Sequence, residues 1–165
     1  KINLPPYGSI VLVTGICGEE ELPKIKAEKE LSLNYKISFA EINNDIFTEY
    51  KETNKLFNIT GKDEKPHFSG HILYKTSFEA KKGKYLLDLA YVGEIAEVTL
   101  NGKNIGSRVI PPYTFDISEA VKDGENELLI EVTNTNVFLL RDRFSSYMRI
   151  EPSGLLGPVK LIETV

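Results

Sequence analysis

Arginine is scarce in this sequence and unevenly placed. Arg141, Arg143 and Arg149 fall within NTNVFLLRDRFSSYMRIEPSG, residues 134–154, beside Asp142 and Tyr147, and Arg108 alone lies elsewhere. Guanidinium groups are planar, permanently charged and donate several hydrogen bonds at once. With an aromatic ring beside them they could hold a polar ligand, pair as a solvated surface patch, or dock a second domain. Long connections inside compact domains are often functional. Other candidate chemistry is thin. Cys17 is single, so an internal disulfide and a cysteine-built metal site are excluded, and it reads as a small buried apolar side chain. His67 and His71 lie four positions apart, a step that converges on a metal from a helix but not from an extended segment. Neither a Gly-x-Ser-x-Gly elbow nor a phosphate loop occurs. Asn58-Ile59-Thr60 fits the N-glycosylation pattern, a triplet common by chance.

The elements that must position these residues are strands. NYKISFAEI at 34–42 alternates, with Tyr35, Ile37 and Phe39 on one face. ILYKTSF at 72–78 sets Ile72, Tyr74, Thr76 and Phe78 against Lys75 and Ser77. AEVTL at 96–100 and NELLIEVTN at 126–134 put Ala96, Val98, Leu100, Leu128, Ile130 and Val132 inward. SIVLV at 9–13, KYLLDLAY at 84–91 and the closing GPVKLIETV complete the set. Period-2 alternation with one polar face marks antiparallel sheets packed on one side. Lys81-Lys82-Gly83-Lys84 reads as a hairpin-type turn, and Asn101-Gly102 is a strong hairpin signal because both residues tolerate positive φ. Gly106 permits a bulge, and Pro111-Pro112 stiffens the approach to Tyr113. Ser118 reads as the cap of a short turn through Lys122, and Asp116 as an acceptor for backbone donors at its start. NNDIFTEYKETNKLFN at 43–58 reads as a helical turn or a long polar connection. Glu97, Glu131 and Asp88 fall at outward strand positions, where solvated charge is expected.

The totals suit this picture. A chain of 165 residues with 41% apolar and 27% charged residues can bury the core of one soluble domain. A net charge of -4 argues against a basic nucleic-acid face, and no apolar run approaches the roughly 18 residues that cross a bilayer. The first residue is Lys1, so a processed or cut chain is expected. GEEELPKIKAEKE reads as a linker or a solvated edge. Residues 1–26 are thus expected to be the terminal strand of a preceding domain plus a charged linker, and 27–165 the module proper.

Four segments in a fixed order carry a resemblance: FSGHILYKTSFEA, YLLDLAYVGEIAEVTLNGKNIGSRVIPPYTFDIS, KDGENELLIEVTN and SGLLGPVKL. Over residues 33–165 the sequence resembles the sugar-binding β-sandwich of family 2 glycoside hydrolases and the related sandwich of α-L-rhamnosidase-like bacterial glycosidases. The resemblance implies an all-β fold, an antiparallel β-sandwich of jelly-roll, galactose-binding-domain-like form. It implies a non-catalytic accessory domain of a large bacterial glycoside hydrolase, periplasmic or extracellular, whose partner is the catalytic domain of the parent enzyme. In those families a separate barrel supplies the catalytic acid and base. The alternative is an independent carbohydrate-binding module that takes an oligosaccharide at one end of the sandwich. Sugars are held by planar hydrogen-bonding groups and aromatic faces, so the candidate contacts are Tyr91, Arg108, Tyr113, Arg141, Arg143, Tyr147 and Arg149. No tryptophan is present, although tyrosine and phenylalanine each occur eight times. No cofactor is implied, and no nucleic acid or membrane partner. Structural calcium occurs in some sandwiches of this fold, but the dense Asp/Asn cluster that a hard cation needs is not seen in the sequence.

Overall fold

Alternation becomes structure most directly in the centre of the chain. The computed structural model describes residues 10, 23–44, 46–140 and 150–165. Strand β4, Gly70–Ala80, buries Ile72, Tyr74, Thr76 and Phe78 while Lys75, Ser77 and Glu79 face water. Its neighbour β10, Gly124–Thr133, buries Asn126, Leu128, Ile130 and Val132. Strand β7, Ile95–Leu100, buries Ala96, Val98 and Leu100, and β2, Tyr35–Glu41, buries Tyr35, Ile37 and Phe39. With β3, Thr48–Thr53, and β8, Lys103–Arg108, at its edges, this sheet runs β3-β2-β4-β10-β7-β8.

A four-stranded sheet lies against it in the order β1-β12-β5-β9, from β1 (Ile25–Glu30), β12 (Lys160–Thr164), β5 (Tyr85–Asp88) and β9 (Thr114–Asp116). Leu161, Leu87 and Phe115 form one paired row across it and join the same hydrophobic core as Ile130 and Tyr74. Each large aliphatic side chain so buried contributes on the order of 1.5–3 kcal/mol relative to exposure. A two-stranded ladder of β6, Tyr91–Gly93, and β11, Gly154–Gly157, completes the set. Among the described residues every strand ladder is antiparallel, and the fold is an all-β sandwich, as the alternation indicates.

The hairpin at Asn101-Gly102 forms as expected. Asn101 and Gly102 have φ of 51° and 78°, and the β7–β8 register shifts between Val98 and Thr99, opposite Gly106. Asp116 Oδ1 accepts from the Ser118 amide at 3.0 Å, also as expected.

Four expectations change. The stretch at 43–58 contains β3, a polar edge strand held by its ladder with β2, so its pairing and not its pattern makes it a strand. Lys81–Lys84 is not a hairpin turn, because β4 and β5 belong to different sheets and the chain crosses the sandwich there, with the Lys82 amide bound to Asp123 Oδ1 at 2.7 Å. KYLLDLAY is broken after Asp88; Ala90 takes φ of 51°, and the chain leaves the four-stranded sheet for the β6–β11 ladder. Ser118 does not cap its turn: its hydroxyl oxygen accepts from the Tyr85 amide at 3.0 Å across the fold. Cys17 and the strand expected at 9–13, apart from Ile10, lie outside the described residues, and β1 is an edge strand whose six residues are all exposed.

Buried phenols tie the core to pH. Tyr35 and Tyr74 pack edge to face with ring centroids 6.1 Å apart, and burial pushes both phenols far above the usual 10.0. The hydrogen bond from Tyr50 to Glu64, then burial, pushes the Tyr50 phenol up to about 12. The folded state thus holds these protons more tightly than the unfolded chain, where phenols ionise near 10.0. Stability from this source is intact below pH of about 10 and is lost as pH rises above it. The urea midpoint should fall between about pH 8 and about pH 11, with phenolate absorbance appearing together with unfolding; equal midpoints would contradict this account.

Candidate functional site at the strand end around Tyr91 and Arg108

Register brings the candidate residues together. Glu41 of β2 pairs with Gly70 of β4, His71 with Thr133 of β10, Thr133 with Ile95 of β7, and Ala96 with Arg108 of β8. One end of the six-stranded sheet is therefore formed by the end of β2, the starts of β4 and β7, and the ends of β10 and β8. The β6–β11 ladder adjoins it, since Gly93 lies two residues before Ile95 and pairs with Gly154. Gly93 is required by close approach: a Cβ there would sit 2.1 Å from the Pro152 carbonyl oxygen.

Buried and half-buried amides and hydroxyls pin the loops at this end. Asn134 Oδ1 accepts from the Gly70 amide at 2.8 Å, and Asn134 Nδ2 donates to Phe68 O at 3.0 Å and Ser153 Oγ at 2.9 Å. Asn58 Oδ1 accepts from the amides of Thr60, at 3.1 Å, and Ser153, at 2.9 Å, and from the Thr60 hydroxyl at 2.9 Å. Ser69 Oγ donates to Thr135 O and accepts from the Leu139 amide of a short helix α1, Val137–Leu140. The sequence singles out Asn58 only as part of a glycosylation triplet and gives no sign of the roles of Ser69, Asn134 and Ser153. The one local signal is Asn58-x-Thr60, which is also the pattern of an Asx turn.

Three of the candidate contacts lie at this end. Tyr91 is 43% exposed and its hydroxyl donates to Glu151 Oε2 at 3.2 Å. Arg108 is exposed; Nη1 donates to Ser107 O at 2.9 Å, and the guanidinium carbon stands 5.3 Å from the Phe115 ring centroid. Tyr113 is only 5% exposed, with its ring in the core and its hydroxyl donating to Glu94 O. Burial, then the neighbouring Glu94 and Tyr91, raise its phenol above the usual value. Arg141, Arg143, Tyr147 and Arg149 lie outside the described residues.

The same end gathers exposed apolar side chains. Ile46, Tyr91, Ile95, Val109, Ile110, Leu139 and Leu140 are seven of the ten large apolar side chains that stand exposed among the described residues; the other three are Ile10, Ile25 and Val165. Such concentration differs from the single scattered apolar residues usual on a surface.

The outer face of the six-stranded sheet is of opposite character. Lys75 pairs with Glu127 at 2.5 Å, Lys36 with Glu52 at 2.9 Å, and His71 Nδ1 meets Glu131 at 2.9 Å. Glu97 and Glu131 stand directly opposite each other on adjacent strands, and Glu97 also accepts from Asn104 Nδ2 at 2.8 Å. They lie side by side on an open sheet face, whereas glycoside hydrolysis uses two carboxylates placed across a sugar. Among the described residues no three His, Cys, Asp or Glu side chains gather to hold a metal ion. An open groove of about 830 Å³, lined by Leu31, Asn34, Asn54, Leu56 and Pro158 among others, shares none of the residues around Tyr91.

Two antiparallel sheets packed face to face over one hydrophobic core define a β-sandwich domain. No known family profile matches the chain. It is 42% identical over 74 residues to a protein of Formosa agariphila named "Putative beta-glucuronidase", a match covering 41% of this chain and 6% of that one. Its structure is similar to that of a rhamnosidase from Novosphingobium sp. PP1Y, with a TM-score of 0.69 and 25% identity over 90% of this chain and 16% of the other. A family 2 β-galacturonidase from Eisenbergiella tayi gives 0.62 at 18% identity, a likeness of fold, over 88% of this chain and 25% of that one. The resemblance carried by the four segments thus holds, and the chain spans a small part of each of these proteins.

Proposed function

We propose that this chain is a non-catalytic accessory sandwich of a large glycosidase and that it supports the part of the polypeptide that performs the chemistry. The observation that carries the reading is coverage: nine-tenths of this chain corresponds to 16% of a rhamnosidase. The engagement of Glu97, Glu127 and Glu131 in cross-strand pairs on an open face supports it. The test is hydrolysis of aryl β-glucuronides and α-rhamnosides. The chain alone should release no product, while the longer polypeptide should lose activity or thermal stability when this segment is deleted. Turnover by the isolated chain would refute the reading.

Sugar contact is the second reading, favoured by the exposed Tyr91 ring with the Glu151 carboxylate on its hydroxyl. An aromatic face beside a hydrogen-bonding carboxylate is the usual means of holding a pyranose. Calorimetric titration with D-glucuronic acid and L-rhamnose measures it. Binding tighter than about 1 mM that Tyr91→Ala abolishes establishes contact; absence of heat leaves this chain a scaffold only.

A further inference from the structure

We propose that the apolar strand end is the face by which this domain docks on the catalytic portion of its own polypeptide. Val109 and Ile110 supply the inserted apolar group, and Arg108 fixes its orientation. The inference rests on the accessory-domain reading and adds to it the surface and the chemistry of the partner.

Three observations point to this face. The first is concentration. Val109 and Ile110 are 63% and 69% exposed, and Tyr91, Ile95, Leu139 and Leu140 stand exposed at the same end. Apolar surface gathered in one place is characteristic of an interaction site. The second is the unsuitability of the other faces. The ion pairs Lys36–Glu52 and Lys75–Glu127 and the hydrogen bond between His71 and Glu131 lie on the outer face of the six-stranded sheet, and the ion pairs Lys26–Glu163 and Lys160–Glu28 lie at the β1 edge. Burying paired surface ions strips them of water, and their mutual attraction repays that cost poorly. The third is preorganisation. Pro111 and Pro112 follow Ile110 directly and restrict the backbone there, so little further ordering is required when the loop is covered.

Arg108 defines what the partner must offer. Its guanidinium lies against the Phe115 ring, and no carboxylate pairs with it among the described residues. A guanidinium held in place beside apolar side chains is a typical anchor of a buried interface, and its natural complement is a bidentate carboxylate. The occupant is therefore an apolar patch bearing an Asp or Glu opposite Arg108. The same polypeptide is the source, because in the similar solved proteins this fold occupies 16% to 31% of the chain and the rest is available to cover the rim.

Hydrogen exchange on the chain alone and on the polypeptide that carries it tests the proposal. The amides of residues 94–96, 108–110 and 113 should exchange about tenfold more slowly or better in the longer form. Val109→Ser combined with Ile110→Ser should remove that protection and leave the melting point of the chain alone unchanged. Arg108→Glu should weaken protection more than Arg108→Lys. Protection confined to the outer sheet face or to β1 would overturn the assigned surface while leaving the accessory reading intact. Equal exchange at every face, with the two parts unfolding independently, would overturn both.

Discussion

Gly154→Ala is expected to destabilise the domain by about 4 kcal/mol. Two terms add. Gly154 has φ of +104°, a conformation that strains an L side chain by about 1–3 kcal/mol. An added Cβ would also lie 2.5 Å from Tyr74 Oη and 2.8 Å from Ile59 Cγ1. Neither atom can retreat. Tyr74 is 1% exposed, packs on Tyr35 and accepts from the Leu155 amide at 2.9 Å, and Ile59 is fully buried. Overpacking of such a site costs about 1–3 kcal/mol. A loss of this size is a large fraction of the roughly 5–15 kcal/mol that holds a domain together, and it should lower Tm by about 8–16 °C. Gly102→Ala is the comparison. Gly102 also has positive φ, at +78°, but nothing lies within 4 Å of its added Cβ, so only the conformational term remains. Urea unfolding of both variants decides the matter, and equal losses would show that the crowding argument is wrong.

Asn126→Ala carries the second largest expected effect, about 3 kcal/mol. Asn126 is fully buried on β10 yet polar, and every part of its amide is used. Its Oδ1 accepts from Asn101 Nδ2 and the Lys122 amide, both at 2.8 Å. Its Nδ2 donates to Lys122 O at 2.9 Å and Gly124 O at 2.8 Å. Alanine would leave several of these groups buried and unpaired, each at about 1–3 kcal/mol before relaxation. The loss would spread to the β7–β8 hairpin, because Asn101 Oδ1 also accepts from the Glu127 amide at 3.0 Å. An Asn101→Ala, Asn126→Ala double variant should lose less than the sum of the singles, since each removal already frees the other's partner. Asn104→Ala, which breaks one exposed bond to Glu97, should change stability by no more than about 0.5 kcal/mol. Denaturation curves that rank Asn104 equal to Asn126 would refute the assignment of a buried clamp.

Both predictions turn on residues that punctuate strands, and here sequence and structure agree most closely. Asn101-Gly102 required positive φ, and the chain turns there. Ile72, Tyr74, Val98 and Ile130 alternate with polar neighbours, and all four are buried. Binary alternation is a local property, since successive side chains on a strand must point to opposite faces. The four ordered segments added the fold resemblance for the same reason: turns impose residue types at fixed positions.

What could not be read locally was set by partners far along the chain. TEYKET in β3 shows no clean alternation, because an edge strand is held by its ladder to β2 and not by an apolar face of its own. Lys81–Lys84 has the composition of a hairpin turn, yet it crosses between sheets, because β5 completes a core with Leu161 and Phe115 instead of pairing with β4. Tyr113 follows two prolines and is expected as a sugar contact, but its ring packs in the core and its hydroxyl donates to Glu94 O. Asn58 and Ser153 meet across a separation of 95 positions, which no local pattern encodes.

By itself, then, the amino-acid sequence determined the all-β class, the inward faces of the central strands and the sharp turn at Asn101-Gly102, because these depend on neighbours within a few positions. Only the tertiary structure decided which strands share a sheet, that Tyr113 is buried while Tyr91 is not, and that Ile46, Ile95, Ile110 and Leu140 arrive at one end. Those outcomes depend on ladder register, a relation between distant segments, and register is set when the whole core closes.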